Sequence, residues 1–159
     1  MPGIPGSTII NIRKANTGDI ETIIKIEEQR FPHPWGKKFF SDEITHDISY
    51  FYVAEDIPAS QLAGYIIFWI IAEEMELHKI AVSEAYQGRG IGKELMRFML
   101  DTAAQKKVEK IFLEVRKSNT AAVRLYESFH FKLTGTRKNY YSDPEEDALI
   151  YCLDTFFKR

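Results

Sequence analysis

Apolar positions recur along this chain in two rhythms, alternation with polar residues for half-buried strands and a return every three or four residues for amphipathic helices. Ile10 and Ile12 alternate within Thr8 to Lys14 and predict a first strand. Ile20, Ile23, Ile24 and Ile26 share a helix face, with Asn16 or Thr17 as N-cap and an end near Arg30. Phe31-Pro-His-Pro-Trp-Gly36 breaks that helix, and a second, from Lys37 to Asp47, sets Phe39, Phe40 and Ile44 on one side. Two strands follow, Tyr50 to Glu55 and Leu62 to Ala72, joined by a turn around Asp56-Ile-Pro-Ala-Ser60.

The next stretch organises the rest. Leu77, Ile80 and Val82 suit a strand within residues 75–82, and Ile91, Leu95, Met96, Met99 and Leu100 recur at helical spacing to near Lys106. Between them stand Gly88, Gly90 and Gly92, flanked by Gln87 and Arg89. Lys110 to Arg116 forms another strand, one helix away and hence parallel to the strand at 75–82. A helix capped by Ser118 or Asn119 carries Ala122, Val123, Leu125, Tyr126 and Phe129. Phe131 to Arg137 and Asp147 to Leu153 close the fold as strands, with Tyr140 and Tyr141 side by side in the loop between them. The class is α/β (α+β): a mixed, mostly antiparallel seven-stranded sheet with about four helices, in the order β-α-α-β-β-β-α-β-α-β-β.

Glycines let a backbone turn tightly and bring its N–H groups up to a ligand. At a helix start those donors lack internal partners and the macrodipole adds positive character, so Gln87 to Lys93, with the charge of Arg89, suits a phosphate. A strand-to-helix turn with no ligand is the plain alternative. Gly92-Lys93 is followed by Glu94, so the hydroxyl of a Walker A loop is absent. The glycines are spaced two and two, and mid-chain, which weakens a dinucleotide fingerprint.

With 159 residues and 45% apolar content, one compact domain over 8–159 is expected. Residues 1–7 are read as a disordered or appended start. A net charge of -2 argues against general nucleic-acid binding. Cys152 stands alone, so neither a disulfide framework nor a cysteine metal site is expected. The strongest apolar run, residues 65–72, falls well short of the about 20 residues that span a bilayer. A cytoplasmic setting without membrane attachment is the default, with a monomer or weak dimer as the assembly.

Gln87-Gly-Arg-Gly-Ile-Gly92 after Ile80-Ala-Val82, then Leu113-Glu-Val-Arg116, Ser118-Asn119, Ala121-Ala122, Leu125-Tyr126-Glu127 and Phe131, resemble the GNAT acetyltransferases, and within them the RimI-type and archaeal protein N-terminal acetyltransferases. The resemblance covers residues 10–155. It implies acetyl-CoA as cosubstrate and no metal, with the pyrophosphate on Gln87, Gly88, Arg89, Gly90, Ile91, Gly92 and Lys93. The backbone of Ile80, Ala81 and Val82 would hold the pantetheine arm, and Asn119 and Tyr126 would meet the cofactor's far end. Tyr126 is implied as the acid, although an aromatic on a buried helix face is its plain reading. Glu114 is implied as the base, acting through water. In an otherwise apolar strand it either lies at the sheet's open face or is costly to bury, and burial would raise its pKa towards neutrality.

Glu76 and His78, two apart on one strand face, are further candidates, Glu76 for a catalytic or orienting role and His78 equally as a core histidine. Phe31, Pro32 and Trp35, with Tyr140 and Tyr141, would by resemblance wall the acceptor cleft; from composition alone the 31–36 break serves equally as a core plug. Acetyl transfer needs a neutral amine, which costs about 1.4 kcal/mol at pH 7 for an α-amine and roughly 4.6 kcal/mol for a lysine. That difference favours a protein or peptide N-terminus as acceptor, and the resemblance implies ribosomal or nascent chains among them. A lysine or small-amine acceptor, and a CoA-binding sensor without turnover, are the alternatives.

Overall fold

The computed structural model describes residues 8–155, so the expectation for residues 1–7 lies outside the described residues. Seven strands form one sheet: β1 (Ile10–Lys14), β2 (Ser49–Asp56), β3 (Gln61–Ile71), β4 (Glu74–Val82), β5 (Lys110–Arg116), β6 (Lys132–Tyr141) and β7 (Glu146–Asp154), in the spatial order β1-β2-β3-β4-β5-β7-β6. Among the described residues four α-helices accompany them: α1 (Ile20–Arg30), α2 (Lys37–Thr45), α3 (Ile91–Gln105) and α4 (Thr120–Ser128). The expected order and composition of the fold hold. β4 and β5 run parallel, with Glu74–Leu77 against Lys110–Leu113, while β1–β2, β5–β7 and β6–β7 are antiparallel.

The chain forms two compact units. One comprises residues up to Ile67 with Lys79–Phe98. Its core includes Phe40, whose ring meets Phe51 at 5.9 Å and Tyr65 edge-on at 5.8 Å, and the fully buried Ile23 of α1. Asn16 caps the turn before α1: its side chain accepts from Gly18 N–H while Asp19 accepts from the Asn16 N–H, a reciprocal cap held in place by Arg13. That first turn is a 3-10 turn (Thr17–Asp19), a detail that periodicity does not resolve.

The other unit comprises Phe68–His78 with residues from Met99 on. Ile111, Leu113 and Val115 of β5 are buried while Glu114 between them is exposed, the alternation of a strand with one open face. Here one open reading is settled and one expectation is corrected. Of the two places left open for Glu114, the structure has the open face of the sheet: it sits on the polar phase of β5 and pairs with Arg137. Tyr140 and Tyr141 do not lie in a loop but end β6, because pairing with β7 continues to Tyr141↔Glu146 across a register shift that follows Arg137. An edge strand whose residues are nearly all exposed needs no apolar alternation, so Lys138-Asn-Tyr-Tyr141 carries no strand signal.

Candidate functional site

The glycine loop lies in the first unit. Gly88 and Gly90 adopt φ of 78° and 79°, the left-handed region where a side chain is strained, and a Cβ built on either meets nothing within 4 Å. The glycines therefore serve the backbone path and leave open space above it. Glu94 N–H closes the first turn of α3 onto Gly90 O, leaving the amides of Ile91, Gly92 and Lys93 without intrahelical acceptors. Gly92 differs from the other two, being the second residue of α3 rather than part of the turn. Arg89 is exposed, its guanidinium 5.0 Å from the Tyr86 ring, and Tyr86 O–H donates to Asp56 at 2.7 Å. With its amide oxygen turned towards Arg30, Gln87 accepts from that guanidinium at 2.7 Å.

On β4, upstream of the loop, Ala81 is buried and Ile80 and Val82 are half-buried. Gly64 of β3 lies against this segment so closely that a Cβ there would stand 2.5 Å from Ala81 O. The backbone of β4 is thus pressed on from one side.

In the same unit, Phe31 and Trp35 surround a charge that sequence reading missed. Lys79 Nζ lies 3.8 Å from the Phe31 ring centroid and 3.9 Å from that of Trp35. It pairs with Glu27 at 2.5 Å, and Glu27 is fully buried. Tyr65 O–H donates to the other Glu27 oxygen, and Trp35 N–H donates to Glu27 at 2.8 Å. Burial lowers the Lys79 pKa against the opposing pull of Glu27, and burial followed by the Glu27 charge raises the Tyr65 phenol well above its ordinary value. A signal was present: Lys79 falls in phase with buried Met75, Leu77 and Ala81, and Glu27 in phase with Ile20 and Ile23. Opposite charges at two inward positions are a buried pair in waiting. Pro32 of the same segment is exposed.

The second unit holds the other candidates. Glu114 Oε2 receives Arg137 Nε at 2.9 Å, both groups partly open to water. Tyr126 is buried near the end of α4, 6.2 Å from the Phe131 ring. Burial first, then the neighbouring Tyr141, push its phenol far above the ordinary tyrosine value. Tyr141 is half-buried, with Arg116 4.3 Å from its ring, and burial and the charge of Glu114 raise its pKa. Tyr141 thus lies near enough to feel the charge of Glu114 and to act on Tyr126. Arg116 also pairs with Glu146 at 3.1 Å, and Glu146 accepts from Ser118 N–H at 2.6 Å. Asn119 caps α4 by accepting from Ala122 N–H, an assignment that resolves the Ser118-or-Asn119 alternative. His78 stacks on Trp69 at 4.3 Å, with exposed Glu76 3.8 Å from its Nε2, as expected for residues two apart on one face. Tyr140 is exposed, its ring 5.2 Å from Tyr141.

An open glycine turn at a helix start, in a chain of this strand order, fits the family that the motifs resembled, and the acetyltransferase (GNAT) family profile matches residues 20–131. The chain belongs to the GNAT acetyltransferase family. Among its GNAT relatives, the [ribosomal protein bS18]-alanine N-acetyltransferase of Escherichia coli strain K12 is 33% identical over 144 residues, covering 89% of this chain and 95% of that protein. The N-alpha-acetyltransferase RimI of Mycobacterium tuberculosis is 33% identical over 145 residues, covering 87% and 89%. The crystal structure of the Escherichia coli ribosomal-protein-S18-alanine N-acetyltransferase superposes with a TM-score of 0.84 at 31% identity, covering 92% of this chain and 94% of that one. Among the described residues no GNAT helix here is long and apolar enough to cross a membrane.

Proposed function

We propose that this chain transfers an acetyl group from acetyl-CoA to the α-amino group of a protein or peptide N-terminus. What carries the reading is the open glycine cradle in a chain whose near-full-length relatives are named for alanine or N-alpha acetylation. The bS18-alanine name of the first of these supports a ribosomal protein with alanine first as the acceptor, and a cytoplasmic setting is proposed with it. The family match runs through both units, which supports reading 8–159 as one acetyltransferase domain.

The residues present fit acetyl-CoA. Left-handed Gly88 and Gly90 leave room for a diphosphate, the amides of Ile91, Gly92 and Lys93 can donate to it, and Gln87 and Arg89 flank it. When bound, acetyl-CoA supplies an activated acetyl thioester. The backbone of Ile80, Ala81 and Val82 would offer strand-like hydrogen bonds to the pantetheine arm, and Asn119 would meet the cofactor's far end.

Glu114 accepts, through water, a proton from the acceptor's α-ammonium, so that the amine can attack the acetyl carbon. The nitrogen–carbon bond forms, the carbon–sulfur bond breaks, and the sulfur keeps the electron pair. Tyr126 meets that developing charge. Full proton transfer from an ordinary phenol to a thiolate costs about 2 kcal/mol. Burial of Tyr126 raises that cost, so the phenol acts first as a hydrogen-bond donor kept neutral across the working pH range. Overall the ammonium gives up two protons, one ending on sulfur and one released. Glu76 and His78 orient the amine, while Phe31, Pro32, Trp35, Tyr140 and Tyr141 grip the first residues of the acceptor.

The test incubates the protein with acetyl-CoA and short peptides beginning with alanine, their N-termini free or blocked, and reads thiol release and product mass. One acetyl group on the free α-amine is expected. Glu114→Gln and Tyr126→Phe should each lower turnover by about a hundredfold or more while acetyl-CoA affinity stays. Modification of lysine side chains alone, or unchanged turnover in both variants, would discard the reading.

A further inference from the structure

The Phe31–Trp35 segment has no regular secondary structure of its own, yet three of its groups converge on one buried pair. The Trp35 N–H, the Trp35 ring and the Phe31 ring all address Glu27 or Lys79, with the distances given above. Backbone bonding adds one link at the near end, where Phe31 N–H donates to Glu27 O at 2.9 Å. At the far end the Trp35 ring packs on Phe39 of α2 at 3.9 Å.

We propose that Glu27 and Lys79 are positioning residues for the acceptor wall, holding the Phe31 and Trp35 rings in the arrangement that receives the substrate peptide. This rests on the reading of Phe31 and Trp35 as that wall.

The choice of residues supports a role beyond burial. A buried ion pair is a poor way to gain stability, because desolvating two charges offsets most of their attraction and apolar side chains of similar volume commonly do as well. What the pair provides is direction. The carboxylate takes one donor from strand β3 (Tyr65), one from strand β4 (Lys79) and one from the segment itself (Trp35), so its place is overdetermined. The ammonium, fixed by Glu27, then attracts the faces of two rings, which fixes their tilt as well as their distance. A methionine at position 79 would fill the space without that preference.

The experiment measures steady-state kinetics with an alanine-first peptide for Lys79→Met, Phe31→Ala and Trp35→Ala. Fluorescence of Trp35 is followed in a Trp69→Phe background, where it is the only tryptophan. Lys79→Met should raise the peptide KM about tenfold while kcat and the acetyl-CoA KM stay within about twofold, and it should change the Trp35 emission. If Lys79→Met does not fold, Glu27→Gln with Lys79→Met, which removes both charges, is read the same way. If Trp35→Ala raises the peptide KM but Lys79→Met or the double variant leaves it unchanged, the inference is overturned and the wall reading stands. If neither ring deletion moves the peptide KM, the wall reading falls and the inference with it. Reduced thermal stability with every kinetic constant unmoved would make the pair merely structural and also overturn it.

Discussion

Two carboxylates of this protein each hold a cation at hydrogen-bonding distance, and they differ in almost everything else. Glu27 and Lys79 meet at 2.5 Å with side chains 0% and 8% exposed, whereas Glu114 and Arg137 meet at 2.9 Å with side chains 31% and 56% exposed. Contact distance alone would rank them nearly equal. Exposure separates them: water screens the outer pair and can replace either partner, while the inner pair has no solvent to fall back on. A residue proposed to exchange protons with water and substrate belongs to the first kind. One proposed to hold a shape belongs to the second.

The largest effect that would sharpen this contrast is on the inner pair. Lys79→Met leaves Glu27 buried without its cation and should cost about 3–5 kcal/mol of unfolding free energy, with Glu27→Gln plus Lys79→Met recovering much of it. Denaturant titration reads both, and a double variant as unstable as the single one would break the comparison. Next comes the strand that carries Lys79. Gly64→Ala forces a methyl group to 2.5 Å from Ala81 O, so β4 must move or the backbone must strain, at a cost of about 1–3 kcal/mol together with weaker acetyl-CoA binding in calorimetry.

A smaller effect is expected at alkaline pH. The Tyr126 phenol is raised by burial, so below the ordinary tyrosine pKa of about 10 both folded and unfolded chains hold the proton and its contribution is complete. Above that value the unfolded chain releases its proton first, and stability falls as pH rises. Tyr126→Phe should make that alkaline loss shallower in thermal melts across the range. The smallest effect belongs to the outer pair. Arg137→Gln should change stability by less than about 1 kcal/mol, and raising salt should erase the difference from the parent while leaving the Lys79→Met difference intact. A salt-resistant loss at Arg137 would show that exposure was the wrong criterion.

Much of this could be read before any coordinates. The strand at Lys110–Arg116 and the helix starting at Lys37 fall where periodicity put them, since each has a clean rhythm and a clear breaker beside it. The glycine turn was legible for a different reason, because left-handed backbone at Gly88 and Gly90 admits few other residues. Tyr140 and Tyr141 were misplaced into a loop because an edge strand with exposed faces has no apolar rhythm to show. Glu114 was open to two readings, and only the phase of its neighbours Leu113 and Val115 in the folded strand chose the exposed one.

The sequence by itself determined the order of elements, the glycine turn and the family, because each is written in short-range patterns: spacing, glycine placement and a run of motifs. Tertiary structure decided which charges meet. Glu27 and Lys79 are separated by 52 positions, and nothing local says that a carboxylate on a helix and an ammonium on a strand will share one dry space between two rings. Pairing across such a distance depends on how the helix and the strand pack, which is where burial, and with it the strength of every charge, is set.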